Sequence, residues 1–109
     1  MTRTVEERQP MWILQSSEPA DAVVTFRLRA GAVKTIGRAP QAQFVIDAPL
    51  VSRLHCRVTA AADTVEVVDL SSTNGTYVNG KRVKCGQLKS GDRLRVGRVE
   101  LSVEKKTHG

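Results

Sequence analysis

Three short polar segments of this 109-residue chain carry the side chains that could do chemistry: Gly37-Arg38, Ser52-Arg53-Leu54-His55, and the loop from Asp69 through Ser72, Thr73, Asn74 and Gly75 to Thr76. Each is tethered to an apolar, strand-like run. Together they offer a guanidinium, several hydroxyls and one carboxamide. A phosphate dianion wants that donor set: charge-assisted bonds from Arg, neutral bonds from Ser and Thr, and backbone amides in Gly-bearing turns. Ser52, His55 and Asp69 also supply the residue types of a hydrolytic triad. However, no nucleophile-elbow glycines flank Ser52, and nothing suggests an oxyanion hole aimed at its hydroxyl. The pattern reads as phosphate recognised rather than made or removed, so no enzyme is expected.

Taken singly, each segment has a plainer reading. Glycine at Gly37 tolerates an unusual backbone angle and lets the loop turn so that Arg38 projects, yet an arginine after a turn glycine is also common surface. Ser52 follows Pro49-Leu50-Val51, and its hydroxyl suits either an anion or a turn cap. His55 reads as a loop brace, bonded to backbone through its ring nitrogens. The Ser-Thr-Asn-Gly composition from residue 71 to 76 is that of a loop on any account. Cys56 and Cys85 share no metal-ligand spacing with His55 and His108, so neither metal nor cofactor is expected. Free thiols are preferred to a Cys56–Cys85 disulfide in an intracellular chain, and the alternation at Cys56-Arg57-Val58 turns Cys56 toward the core.

The elements that must hold these loops read as strands. Aromatics make up only 4% of the chain, so Val, Leu, Ile and Ala must build the core, and the many Val and Thr residues favour strands. Short apolar runs recur at turn-sized spacing, as in an all-β sandwich. They are Trp12–Leu14, the alternating Val24, Phe26 and Leu28, then Val33–Ile36, Phe44–Ile46 and Cys56–Ala60. Val65–Val68, Leu94–Val96 and Val99–Val103 follow the same habit. Between Val65–Val68 and Leu94–Val96, Thr76–Val78 and Lys81–Val83 flank Asn79-Gly80, a pair suited to a type I′ hairpin turn. No sustained 3.6-residue apolar period predicts a long helix. Residues 1–10 read as a flexible tail, 11–104 as one domain, and 105–109 as a terminal tail too short and polar to pack.

In order and spacing the motifs resemble the forkhead-associated (FHA) family, over about Trp12 to Val103. The residues that carry the resemblance are Gly37-Arg38, Ser52-Arg53-x-His55, Asp69-x-x-Ser72-Thr73-Asn74-Gly75-Thr76, Val78-Asn79-Gly80, and Leu88 before Gly91-Asp92. The resemblance implies an eleven-stranded, antiparallel-type β-sandwich that binds phosphothreonine in an extended peptide. It implies that Arg38 and Ser52 contact the phosphate, helped by Thr73 and Arg53, and that Asn74 bonds the peptide backbone. Gly37, His55 and Gly75 would shape the loops. A slot for the threonine γ-methyl group is implied in the same way.

The partners expected are threonine-phosphorylated proteins, either substrates of a Ser/Thr kinase or the kinase itself. The net charge of +6, from 17 Lys and Arg against 11 Asp and Glu, favours an anionic partner without naming it. A phospho-independent scaffold is the alternative, followed by nucleic-acid binding, for which base-stacking aromatics are scarce. No apolar run reaches the ~20 residues of a membrane helix, so the expected compartment is the cytoplasm, or the nucleus in a eukaryote. Thr4, beside Val5-Glu6-Glu7 in the tail, is a candidate kinase site that could dock into the domain's own pocket or a neighbour's.

Overall fold

The computed structural model describes residues 10–16 and 23–106. Most of the N-terminal tail, Thr4 included, lies outside the described residues, as do residues 107–109. Among the described residues every regular element is a strand: β1 (Met11–Gln15), β2 (Thr25–Arg29), β3 (Val33–Gly37), β4 (Phe44–Val45), β5 (Cys56–Ala60), β6 (Val65–Asp69), β7 (Thr76–Val78), β8 (Lys81–Val83), β9 (Cys85–Leu88), β10 (Arg93–Val96) and β11 (Val99–Lys106). They form two sheets, ordered β2-β1-β11-β10-β7-β8 and β4-β3-β5-β6-β9. Among the described residues no helix is long and apolar enough to cross a membrane.

Period-two alternation buries one face of each sheet against the other. Cys56, Val58 and Ala60 of β5 and Val65 and Val67 of β6 face Trp12, Leu14, Leu94, Val96, Leu101 and Val103 in a continuous aliphatic core. Trp12 is fully buried, and its indole Nε1 donates to the Ala61 carbonyl at 2.9 Å, so its polar atom is satisfied. Phe26 on β2 stacks on Phe44 of β4, centroids 4.4 Å apart, and so joins the first strand of one sheet to that of the other. Cys56 points inward and is buried, whereas Cys85 is exposed, and both thiols are free. Burial, followed by the nearby Asp69 charge, pushes the Cys56 thiol up to about 12.

Four details depart from the sequence expectation. β4 pairs with β3 in parallel, Ile36 opposite Phe44 and Gly37 opposite Val45, while the other strand pairs are antiparallel. The intervening loop can return so quickly because its inward positions are the small, buried Ala39 and Ala42, closed by an amide-to-carbonyl bond of 3.0 Å. β9 was not legible as a strand, because Cys85-Gly86-Gln87 lacks an apolar alternation; its pairing with β6 forms it. β4 is shorter than expected and stops at Val45.

The C-terminal departure is a correction to the expected tail. β11 runs on to Lys106, placing Lys105 opposite Trp12 and Lys106 opposite Met11. The backbone of β1 requires partners there whatever the side chains. Polarity is accommodated too, since Lys105 reaches Asp63 at 3.2 Å.

Candidate functional site

The segment Ser52–His55 runs alongside the end of β3 and extends its ladder. Arg38 N donates to Ser52 O at 2.9 Å, Ala39 N to Arg53 O at 3.1 Å, and His55 N to Ile36 O at 2.8 Å. This packing explains Gly37, and not in the way its sequence context suggests. Gly37 does not adopt a positive φ. Instead, a Cβ built on it would fall 2.0 Å from the Arg53 carbonyl oxygen, so glycine is required by close backbone approach.

His55 is fully buried and ties two loops together. Its Nδ1 accepts the Ser52 amide at 3.0 Å, and its Nε2 donates to the Gly75 carbonyl at 2.7 Å. Those partners assign the neutral, Nε2-protonated tautomer. Both ring nitrogens are thus occupied by backbone, and neither engages the Ser52 hydroxyl. Asp69 is also committed elsewhere, so Ser52, His55 and Asp69 do not form a relay.

Asp69, whose role was not read from the sequence, organises the third loop. One carboxylate oxygen accepts the Ser72 amide at 3.1 Å; the other accepts the hydroxyls of Ser72 and of the buried Thr76, the latter at 2.7 Å. The Ser72 oxygen in turn accepts the Gly75 amide at 3.0 Å. Burial disfavours the Asp69 charge, but the hydrogen bonds from Ser72 and Thr76 outweigh it and hold the carboxyl below its ordinary value. The signal for this hub was present as Asp-x-x-Ser, a spacing at which a side-chain carboxylate mimics a turn.

With the loops so braced, Arg38, Ser52, Thr73 and Asn74 line one open cleft of about 580 Å³, together with Leu50 and Asp47. Arg38 is exposed, and its Nε donates to Val51 O at 3.1 Å, which aims the side chain while leaving its terminal nitrogens for a ligand. Ser52 Oγ accepts the Thr73 amide at 3.1 Å, so its own hydrogen is available to donate outward. Asn74 Nδ2 donates to Leu50 O at 3.1 Å, spanning two loops, and leaves the carboxamide oxygen as a free acceptor. Leu50 sits at φ 71°, an uncommon angle for leucine, and its carbonyl is turned to meet Asn74. Arg53, by contrast, is exposed and lies off the lining of this cleft. Asp47 on the cleft wall was also missed, since an aspartate in an Asp-Ala-Pro turn carries no distinctive signal.

A two-sheet sandwich whose loop end brings an arginine, two hydroxyls and a carboxamide to one cleft has the donors of a small-anion or phosphopeptide binding domain. The FHA domain family model matches residues 34–97, from within β3 to the β10–β11 turn. The chain belongs to the FHA family. It is 40% identical over 79 residues to the FHA domain-containing protein FhaA of Mycobacterium tuberculosis, covering 72% of this chain but 15% of that protein. It is 36% identical over 70 residues to the glycogen accumulation regulator GarA of the same species, covering 64% of this chain and 43% of GarA. The chain therefore spans less than half the length of either relative. Among solved structures, the FhaA FHA domain complexed with the intracellular domain of Rv3910 superposes with a TM-score of 0.75 at 36% identity, over 85% of this chain and 99% of that one. An FHA domain solved in a study of phosphothreonine-dependent FHA interactions superposes at 0.77 with 35% identity, over 91% and 98% of the two chains.

Proposed function

We infer that this domain is a phosphothreonine-dependent protein-interaction module. The observation that carries the reading is the convergence of Arg38, Ser52, Thr73 and Asn74 on one cleft, each held by a bond that leaves a ligand-facing group free. Arg38 supplies the charge, Ser52 and Thr73 supply neutral donors, and the Asn74 carboxamide aligns the peptide backbone. Arg53 assists from outside the cleft by raising the local potential. Gly37, His55 and Gly75 act through loop shape.

The energies suffice. A hydrogen bond to a charged group contributes roughly 1.5–3 kcal/mol, and three or four at one phosphate approach the ~8 kcal/mol of micromolar affinity. The ligand phosphate carries about −1.5 to −2 charges near neutral pH, so a single carboxylate is a poor substitute. The partners are threonine-phosphorylated proteins, kinase substrates or a kinase itself, met in the cytoplasm. The reading is of a binder and not of a Ser-His-Asp hydrolase, and it is supported by His55, whose two ring nitrogens are both engaged by backbone groups.

Calorimetric titration with a phosphothreonine peptide library, beside phosphoserine and unphosphorylated counterparts, tests this. Binding is expected only in the phosphothreonine set. Arg38→Ala and Ser52→Ala are each expected to weaken it at least tenfold, roughly the loss of one charged hydrogen bond. Equal binding of the unphosphorylated set would reject the reading in favour of a phospho-independent scaffold.

A further inference from the structure

The phosphate cleft is continuous with a second, strongly basic surface. Ala48, Pro49 and Leu50 line both the cleft and a neighbouring apolar slot, whose other wall is Arg98 of the β10–β11 turn and Val99 at the start of β11. The two parts are packed in contact: a Cβ on Gly97 would fall 2.8 Å from Leu50 O. Arg98 then belongs also to a groove on the outer face of the six-stranded sheet, lined by Arg93, Arg95, Gln15 and Ser102, with Glu100 as its acid.

The face carries more charge than the groove itself. Arg82 of β8, Tyr77 of β7 and Arg95 of β10 stand in one cross-strand row. The Arg82 side chain lies over Gly75, its Nε 2.7 Å from where a Cβ would stand, so this cation borders the Thr73–Asn74 loop. Arg93 is partnered with Glu100 at 2.9 Å. Arg82 and Arg98 have no carboxylate partner among the described residues.

We propose that this strip, from Arg98 along Arg93 and Arg95 with Arg82 at its flank, docks an acidic segment of the same phosphothreonine protein whose phosphate enters the cleft. The proposal rests on the phosphothreonine reading. Charge complementarity selects an anionic occupant, and the shared apolar slot lets one extended chain cross from cleft to strip. A polypeptide fits better than a nucleic acid. Tyr77, the aromatic on this row, has one ring face covered by the Arg95 guanidinium at 3.8 Å, so a base could not stack there without displacing it. Arg95 is also fixed by donating to Gly97 O at 3.0 Å, so its charge is held in place beside the turn.

Fluorescence anisotropy at 0.15 M salt tests the proposal. The probes are a phosphothreonine peptide with Gly/Ser flanks and the same peptide with an Asp/Glu tract on one side or the other. Companion peptides carry phosphoserines in the tract, or the tract beside unphosphorylated threonine. The proteins are the wild type, R93E/R98E and R93K/R98K. A tract on one side is expected to tighten binding roughly three- to tenfold in the wild type, as several exposed ion pairs acting together would. R93E/R98E is expected to lose that gain, with little change toward the Gly/Ser-flanked peptide, and R93K/R98K to keep most of it.

A larger gain with phosphoserines than with Asp/Glu would assign the strip to multiply phosphorylated partners, within the proposal. Equal affinity with and without the tract, or a gain that survives in R93E/R98E, would overturn it. So would a single-stranded oligonucleotide that binds the wild type more tightly than the tract peptide and loses binding in R93E/R98E. If even the Gly/Ser-flanked phosphopeptide fails to bind, the phosphothreonine reading itself is lost, and this proposal with it.

Discussion

Two kinds of residue make the cleft, and they separate by what their loss should do. Arg38, Ser52 and Asn74 line the cleft and are at least partly exposed, so their truncation should spare the fold. Gly37 and Asp69 stand off the cleft lining and hold the loops. For Gly37→Ala the new methyl would collide with a backbone carbonyl at 2.0 Å, which cannot swing aside as a side-chain tip would. The β3 end and the Ser52–His55 segment must part instead. A destabilisation of about 3 kcal/mol is expected, as for other overpacked sites. Urea unfolding followed by the single, buried Trp12 would measure it, and phosphopeptide affinity should fall together with stability. Arg38→Ala should show the opposite pattern, with binding lost and the urea midpoint kept. Similar midpoints for both variants would mean that Gly37 is not under the constraint described.

Among the strands, legibility followed local chemistry. Asn79-Gly80 announced its hairpin, and the two residues adopt φ 50° and 83°, the positive pair that a type I′ turn demands. The turn is tied further into the fold, because Asn79 Oδ1 accepts the Arg93 amide at 2.9 Å and Asn79 N donates to Arg93 O at 2.9 Å. Asn79→Ala removes the side-chain bond and the residue's tolerance of positive φ. It should cost about 1 kcal/mol, or roughly 4–8 °C in melting temperature for a domain of this size. A scanning calorimetry trace unchanged by the substitution would contradict that assignment. Cys56–Ala60 and Val65–Val68 were legible for the same reason, their alternation being a property of the segment itself. β9 and the end of β11 were not, because each is created by a neighbouring backbone distant in sequence; the parallel β3–β4 pair was not, because it depends on how the short loop over residues 38–43 buries Ala39 and Ala42. The cleft divides similarly. Arg38, Ser52, Thr73 and Asn74 were readable as donors, whereas the approach at Gly37 and the Asp69 hub are facts about loops meeting.

Across the molecule, those loops link protonation to stability and to binding in two separate windows. Asp69 has a folded-state carboxyl below its ordinary value, since hydrogen bonds from Ser72 and Thr76 overcome the opposing effect of burial. The unfolded chain, with an aspartate near ~3.9, therefore binds the proton more readily than the folded one. Stability from this group is complete above that unfolded value and is lost as pH falls below it, toward the folded value. Net charge, already +6, grows in the same direction and adds self-repulsion. The proposed ligand titrates earlier: a phosphothreonine loses most of its second charge as pH drops through ~6, which would weaken the bonds proposed for Arg38 and Ser52 while Asp69 is still ionised. Phosphopeptide affinity is thus expected to decline between about pH 7 and 5. Melting temperature should hold through that interval with respect to Asp69 and then fall below about pH 4. In Asp69→Asn the acid-side fall should be shallower and should start from a lower plateau, because the amide replaces one strong acceptor by a donor beside Thr76. Melting curves and titrations of both proteins across pH 3–8 would decide it; an acid limb of equal steepness in Asp69→Asn would show that other carboxylates, and not the loop hub, govern the acid limit of the fold.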